Sequence, residues 1–123
     1  MHLILGGASQ GKTEYAGKLY GLSDGEIFTC AGTEIPASVR IVCHLERFTR
    51  ACTESGLDAL QAWDALHLAT GIVICDEISC GVVPIEATDR LWREETGKLL
   101  AALALRAEKV TRVFCGLPLE LKP

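Results

Sequence analysis

Residues 2–13 read HLILGGASQGKT, and this stretch decides the fold. Its first four residues form a short apolar run, which is typical of a buried strand, and the run ends at Gly6-Gly7. Residues 13–20 are compatible with a helix and have charges spread along their length. The stretch therefore predicts a strand, a glycine-rich loop and a helix in direct succession.

The loop matches the full GxxxxGK(S/T) pattern of a phosphate-binding, or Walker A, loop. Glycines allow backbone N–H groups to turn inward around phosphate oxygens, and the N-terminus of the following helix adds positive potential. We expect Lys12 to reach the β and γ phosphates and Thr13 to offer its hydroxyl to Mg²⁺. A glycine-rich turn with an exposed lysine is the alternative. The predicted nucleotide-binding residues are Gly6, Gly7, Ala8, Ser9, Gln10, Gly11, Lys12 and Thr13.

A second candidate segment is IVICDE, residues 72–77, in which four apolar residues precede two carboxylates. The apolar run predicts a strand buried on both faces, and ligands of α/β proteins bind at the carboxyl ends of such strands. Asp76 is therefore a candidate Mg²⁺ ligand, and Glu77 a candidate catalytic residue that orients a nucleophile or contacts a substrate hydroxyl. Helix capping and solvation of a strand end are the alternatives for both residues.

The rest of the chain alternates between strand and helix patterns. Short strands are predicted at residues 26–30, 39–43 and 110–115, and helices at 45–55 and 58–66, with Asp58 as a cap. A long helix is predicted from Pro84 to residue 107, with one face packed on the sheet, and a turn at 116–118 leads to a final segment at 119–122. That helical face comprises Trp92, Thr96, Leu99, Leu103 and Ala107. The alternation predicts an α/β fold with a mostly parallel sheet.

Length and composition restrict the class of protein. The 123 residues, 49% of them hydrophobic, fit one domain over residues 1–123. Twelve Lys and Arg against sixteen Asp and Glu give a net charge of −4, which disfavours a general nucleic-acid-binding surface. No apolar run is long enough for a membrane span and no signal peptide is apparent, so a cytoplasmic location is expected.

The six cysteines include no CxxC pair, and most lie within apolar stretches. Buried, reduced thiols are therefore expected rather than a zinc site. A stray disulfide, or a reactive thiol near Cys75 or Cys80, is the alternative.

Among the three histidines, His44 is the candidate nucleophile, because a neutral imidazole can take up a nucleotidyl group. No neighbour in the sequence is an obvious orienting partner, so a packed or surface imidazole is the alternative, as it is for His2 and His67. Arg90 and Arg93 are expected on the solvated face of the long helix, with a contact to phosphate as the alternative.

Three blocks of sequence together resemble the bifunctional adenosylcobinamide kinase / adenosylcobinamide-phosphate guanylyltransferase family of cobalamin biosynthesis. LILGGASQGKT is similar to its strand and GGxxxGK(S/T) loop, and CGLPLELK resembles its closing SGIPxxLK. The stretch that begins DEISCGVVP resembles its NEVGxGIVP block and the RxFRDxxG helix after it. The specific matches, in order, are Glu77, Gly81, Val83, Pro84, Arg90, Arg93, Gly97, Gly116, Leu117 and Pro118.

The resemblance implies a RecA-like P-loop NTPase fold, a three-layer sandwich that assembles as a homotrimer. It also implies that ATP or GTP serves to phosphorylate adenosylcobinamide, and that GMP then passes to that phosphate through a guanylylated histidine. Arg40, Ile41 and His44 keep the offsets of the family's RIxxH segment, but Leu45 follows the histidine and neither the RP pair nor the Trp comes after. The family's separate Walker-B strand is missing here, and Asp76 stands where the family has Asn.

These observations predict a transferase that binds a nucleoside triphosphate and a corrinoid. Lys12, Glu77 and His44 are the predicted catalytic residues, and Thr13 and Asp76 the predicted Mg²⁺ ligands. A catalytically silent nucleotide-binding protein with a regulatory or assembly role is the competing hypothesis, because the chain is short for this family. A P-loop ATPase or kinase with another small acceptor is the third.

Overall fold

The computed structural model describes residues 1–78 and 86–123. Its described strands are β1 (His2–Gly6), β2 (Ile27–Thr29), β3 (Ile41–Cys43), β4 (Ile72–Asp76), β5 (Lys109–Phe114) and β6 (Leu117–Lys122). Its described helices are α1 (Lys12–Tyr20), α2 (Leu45–Glu54), α3 (Ala59–Ala65) and α4 (Ala87–Arg106), with a short 3₁₀ turn at Asp24–Glu26. None of these helices is both long and apolar enough to cross a membrane.

The strands form a single sheet in the order β2-β3-β4-β1-β5-β6. All neighbouring pairs are parallel except β5 and β6, which form an antiparallel hairpin. The predicted mostly parallel sheet is confirmed. The register of β1 and β4 aligns Gly6 with Asp76, so the glycine loop leaves the sheet beside the carboxylate that ends β4.

Helices cover both faces of the sheet because β1 and β4 are apolar on both sides. On one face, Ala16 of α1 packs with Ile4, Ile74 and other strand residues. On the other face, Leu3 and Val73 lie in one core with residues of α2, α3 and α4, among them Phe48, Trp63, Leu99 and Leu103. The predicted three-layer α/β sandwich is confirmed.

The predicted helices are present, with small differences at their ends. Asp58 caps α3 as expected, because its carboxylate accepts a hydrogen bond from the backbone N–H of Gln61 at 2.9 Å. The long helix α4 runs from Ala87 to Arg106, and the predicted start at Pro84 lies outside the described residues. Thr96, Leu99, Leu103 and Ala107 are buried on its inner face, whereas Trp92 is only half-buried.

The turn before the last strand is tighter than predicted. Cys115 and Gly116 have φ values of 51° and 77°, as the two central residues of a type I′ hairpin do, and that turn suits the twist of adjacent strands. The antiparallel β6 therefore already begins at Leu117 rather than at residue 119.

The cysteine prediction is confirmed at four positions and wrong at one. Cys30, Cys43, Cys52 and Cys75 are free and buried, whereas Cys115 is free and exposed, because it lies in the hairpin turn. Burial raises the pKa of the Cys75 thiol well above its ordinary value, so Cys75 is not a reactive thiol. Cys80 lies outside the described residues.

Candidate functional site

The predicted phosphate-binding loop connects β1 to α1 and depends on glycine at two points. A Cβ atom at Gly6 would lie 2.5 Å from the carbonyl oxygen of Val113, closer than two such atoms can approach. Gly11 precedes α1 with a φ of 92°, in the left-handed region that glycine adopts at little cost. These two positions allow the loop to turn tightly against β5 and enter the helix.

Lys12 is held inside this loop by two contacts. Its side chain is only 6% exposed, and its Nζ donates a hydrogen bond to the carbonyl oxygen of Gly7 at 2.6 Å. The same Nζ lies 2.7 Å from Oδ1 of Asp76. The ammonium is therefore placed between the loop and the end of β4, where the sequence predicted that a phosphate and a metal ligand would meet.

A cavity of about 360 Å³ opens over the loop, and we call it the loop cavity. Residues 8–14 form one wall, and the ends of β3 and β4 and the start of α2 form the other. The second wall includes Cys43, His44, Arg47, Ile74 and Asp76. Of the predicted site residues, Ala8, Ser9, Gln10, Gly11, Lys12, Thr13, His44 and Asp76 line this cavity.

His44 has a carboxylate partner that the sequence analysis missed. Nδ1 of His44 lies 2.9 Å from Oε2 of Glu46 and 4.0 Å from Oδ2 of Asp76. Glu46 is buried, and its Oε1 accepts a hydrogen bond from the backbone N–H of Asp76 at 2.9 Å. The expectation that His44 lacks an orienting partner was therefore wrong. The signal was a carboxylate two residues after the histidine, in the first turn of a predicted helix.

Two sets of candidate metal ligands lie in or next to the loop cavity. Thr13 and Asp76, the predicted Mg²⁺ ligands, both line it and present the hard oxygen atoms that Mg²⁺ prefers. In addition, ligand atoms of His44, Glu46 and Asp76 lie within 4.8 Å of one another. Asp76 belongs to both sets, so a cation bound at either set would compete with Lys12 for the carboxylate of Asp76.

Glu77 lies near the loop without lining the loop cavity. Its backbone N–H donates to the carbonyl oxygen of Gly6 at 2.8 Å, which fixes the end of β4 to the start of the loop. Its carboxylate accepts a hydrogen bond from Nη2 of Arg112 at 3.0 Å. Arg90 and Arg93 lie on α4 and do not line the loop cavity either.

The hairpin turn supports the phosphate-binding loop, a contact that the sequence pattern did not reveal. The backbone N–H of Gly116 donates to the carbonyl oxygen of Gln10 at 2.8 Å. The backbone N–H of Cys115 donates to Oε1 of the same glutamine at 2.7 Å. Thus the closing CGLP segment and the loop, two separate blocks of the sequence resemblance, meet in space.

A second cavity of about 580 Å³ lies beside the first, and we call it the Trp92 cavity. Arg47 lines both cavities, and the Trp92 cavity is completed by Cys30, Ala31, Glu46, Arg50, Ala51, Glu54 and Trp92. The indole Nε1 donates to the carbonyl oxygen of Glu46 at 2.8 Å, and the Arg50 guanidinium carbon lies 5.1 Å from the ring centroid. Burial raises the pKa of Cys30 to about 12, so this wall presents a neutral thiol.

Two comparisons connect the chain with known proteins. The family model described as CobU, cobinamide kinase / cobinamide phosphate guanyltransferase, matches residues 37–121. The bifunctional adenosylcobalamin biosynthesis protein CobP of Pseudomonas aeruginosa is 41% identical over 51 residues, which make up 42% of this chain. The match spans 30% of the length of that curated relative.

Proposed function

Because the chain belongs to the cobinamide kinase / cobinamide phosphate guanyltransferase family, we propose that it is a nucleotide-dependent transferase of cobalamin biosynthesis. It uses ATP or GTP to phosphorylate the alcohol of a cobinamide such as adenosylcobinamide. The observation that carries this proposal is the loop cavity, in which the phosphate-binding loop, Lys12 and Asp76 lie together. The reaction takes place in the cytoplasm.

Nucleotide binding begins with an exchange of partners at Lys12. The β and γ phosphates replace Gly7 and Asp76 as partners of the ammonium, which then neutralises the charge on the transferred phosphoryl group. Asp76, relieved of Lys12, and the Thr13 hydroxyl are the residues that would hold Mg²⁺. Mg²⁺ held there would supply positive charge to offset that of the phosphates. The backbone N–H groups of the loop and of the first turn of α1 hold the remaining phosphate oxygens.

The acceptor enters from the Trp92 cavity. This cavity shares Arg47 with the loop cavity, so a molecule that occupies it presents its reactive oxygen next to the phosphates. Its mixed lining of indole, alanine, arginine and glutamate side chains suits a ligand with an apolar body and a polar terminus such as a hydroxyl. Positioning of this kind is most of what phosphoryl transfer requires from a protein.

A second step, guanylyl transfer to cobinamide phosphate, is assigned to His44. The imidazole lies on the wall of the loop cavity that is opposite the phosphate-binding loop. A nucleotide bound by the loop therefore has a nitrogen nucleophile on the side that faces away from the loop. Phosphorylation of the acceptor and nucleotidyl transfer then use one nucleotide site in turn. Acid-labile, alkali-stable label from α-labelled GTP, lost on His44→Gln, would establish the covalent intermediate.

The kinase step is tested by substituting Lys12. We expect Lys12→Ala to slow phosphorylation of adenosylcobinamide by roughly 100-fold or more, the usual effect of removing one electrostatic contact to the transition state. Lys18→Ala is the matched control, because Lys18 lies on the exposed last turn of the same helix. Undiminished turnover by Lys12→Ala would contradict the assignment.

A second candidate function is nucleotide binding without catalysis, in a regulatory or assembly role. It is favoured by the departures from the family pattern at the catalytic segments, where Leu45 follows His44 without the RP pair and Trp, and Asp76 stands in place of Asn. Incubation of the wild-type protein with labelled ATP or GTP and adenosylcobinamide separates the two functions. Phosphorylated corrinoid supports the enzyme, whereas tight nucleotide binding without product supports the silent protein.

A further inference from the structure

Glu46 is a buried carboxylate that the kinase step does not use. It lies in the first turn of α2 with 7% of its surface exposed, and burying a carboxylate costs free energy unless hydrogen bonds compensate it. Both of its oxygens have a partner 2.9 Å away: Oε1 accepts from the backbone N–H of Asp76, and Oε2 faces Nδ1 of His44. Glu46 therefore links the end of β4 to the predicted nucleophile.

We propose that Glu46 is a positioning residue that holds His44 as its Nδ1–H tautomer, so that the lone pair remains on Nε2 for nucleotidyl transfer. A carboxylate can only accept a hydrogen bond, so the proton in the His44–Glu46 bond belongs to Nδ1. Free histidine favours the opposite tautomer, with the proton on Nε2, so the bond changes which nitrogen is nucleophilic. The catalytic consequence rests on the proposed guanylyl transfer.

The backbone of His44 fits this role. His44 is the N-cap of α2 and has φ 57° and ψ 48°, a left-handed conformation that costs free energy for a residue other than glycine. The conformation lets the imidazole turn back to Glu46 while the side chain still lines the loop cavity. The adjacent helix holds it in place, since the backbone N–H of Arg47 donates to the carbonyl oxygen of His44 at 2.9 Å.

The same three side chains are also a possible metal site, but the contacts favour the hydrogen-bonded pair. A metal ion would need ligand atoms of His44, Glu46 and Asp76 at about 2.0–2.2 Å from it. Oε1 of Glu46 and Oδ1 of Asp76 already have hydrogen-bonding partners within the protein. The His44 nitrogen lies at hydrogen-bonding distance from Glu46, whereas Asp76 Oδ2 is 4.0 Å away.

The transfer balances with the proton kept on Nδ1. The Nε2 lone pair attacks the α-phosphorus of GTP and forms a new P–N bond. The bond between the α-phosphorus and the oxygen that bridges it to the β-phosphorus breaks, and its electron pair leaves with pyrophosphate. The modified imidazole is then cationic, and the carboxylate of Glu46 stabilises it through the Nδ1–H bond. A phosphate oxygen of the acceptor next attacks the phosphorus, the P–N bond breaks, and His44 returns to its neutral state.

The tautomer is measured directly by ¹⁵N NMR of histidine-labelled protein in chelator-treated buffer at pH 8. The chain has three histidines, and His44→Gln identifies the signals of His44. We expect wild type and the control Glu94→Gln, an exposed position on α4 that lines neither cavity, to show the Nδ1–H form, and Glu46→Gln to show a shift toward Nε2–H. An unchanged tautomer in Glu46→Gln, or the Nε2–H form in the wild type, overturns the proposal, as does loss of the Nδ1 proton on addition of diamagnetic Zn²⁺.

The second readout is the rate at which α-labelled GTP labels His44. We expect Glu46→Gln to slow labelling at least tenfold while calorimetric affinity for Mg-GTP stays within twofold of wild type, as it does for Glu94→Gln. Equal labelling rates in Glu46→Gln and wild type overturn the positioning role. A further outcome distinguishes the two proposals. If Glu46→Gln loses the Nδ1–H tautomer that the wild type has, but neither protein becomes labelled, then Glu46 positions His44 and the proposed guanylyl transfer is wrong.

Discussion

At the scale of single residues, the site depends on a few atoms that have no room to move. Gly6 lies where β1 passes close to β5, and Lys12 and Asp76 neutralise each other across the start of the loop. A buried lysine and a half-buried aspartate, 2.7 Å apart, form a charge pair in the wall of the loop cavity. In the proposed function a polyphosphate competes with Asp76 for the ammonium of Lys12.

Gly6→Ala tests the close approach of the loop to β5. The added Cβ would lie 2.5 Å from the Val113 carbonyl oxygen, a backbone atom that cannot rotate away. We expect a loss of about 1–3 kcal/mol in the free energy of unfolding, as overpacking usually costs. Urea denaturation measures it. Gly7→Ala is the control, since its Cβ would make only an ordinary 3.5 Å contact with Gln10. Equal free energies of unfolding for Gly6→Ala and Gly7→Ala would show that the loop does not approach β5 as closely at Gly6 as the structure has it.

Glu77→Gln tests the predicted catalytic role of Glu77. The carboxylate pairs with Arg112 and does not line the loop cavity, so a role at the acceptor hydroxyl requires this pair to open when substrate binds. If it does, kcat for phosphorylation falls by roughly 10²-fold, the usual contribution of a general base. Arg112→Gln, which removes this ion pair, should not lower kcat. Nearly normal kcat in Glu77→Gln would limit Glu77 to fixing β4 against the loop.

At the scale of elements, His2 joins three of them. Its Nδ1 lies 2.6 Å from the Tyr20 hydroxyl of α1, and its Nε2 lies 2.7 Å from the Thr111 hydroxyl of β5. Burial is the main reason that the pKa of His2 lies below its ordinary value of 6.5. Lys109 and the amino terminus lower it further, and Glu120 opposes them. The imidazole is therefore stable in the fold only when neutral.

The stability of the fold should depend on pH through His2. Because the folded protein binds a proton at His2 less readily than the unfolded chain does, unfolding takes up a proton below about pH 6.5. The contribution of His2 to stability is complete well above that pH and decreases as the pH falls through about 6.5, so it is smaller at pH 5.5 than at pH 7.5. Urea denaturation at both pH values measures it. His2→Gln should remove part of this decrease and His67→Gln, at an exposed position, should retain it; the reverse result would contradict the assignment.

The elements that the sequence predicted best are those whose pattern is local. The apolar runs of β1 and β4 and the spacing of Leu99 and Leu103 on α4 depend only on neighbouring residues, and all three were found close to the predicted positions. The contact of Gln10 with the turn at Cys115 joins residues 105 positions apart. The pairing of Glu46 with Asp76 spans 30 positions. No periodicity records such contacts, so the support of the loop by the hairpin turn and the bond that joins Glu46 to β4 could be found only in the folded chain.

At the scale of the whole molecule, the parallel sheet brings the functional groups to one edge. β1, β3 and β4 end together, so the loop, His44 and Asp76 face one cavity although they are dispersed over residues 7–76. The Trp92 cavity lies next to it and shares Arg47 with it. In the proposed function, this arrangement separates a polar site for phosphates from a more apolar site for an acceptor.

Trp92→Ala tests this division between the two cavities. We expect KM for adenosylcobinamide to rise roughly tenfold or more, because the indole is the largest apolar surface of its cavity and lies outside the lining of the loop cavity. Calorimetric affinity for Mg-ATP or Mg-GTP should stay within twofold of wild type. Steady-state kinetics with the corrinoid as the varied substrate gives the first value. A parallel loss of nucleotide affinity would mean that the two cavities form one site.

The central claim is that the loop cavity binds the polyphosphate of a nucleotide with Lys12 as its essential cation. Isothermal titration of Mg-ATP and Mg-GTP into the wild type, Lys12→Ala and the control Lys18→Ala tests it most directly. We predict saturable binding of at least one nucleotide at one site in the wild type and in Lys18→Ala, with at least a tenfold loss of affinity in Lys12→Ala. No binding heat in the wild type at several temperatures, or equal affinity in all three proteins, would contradict the claim.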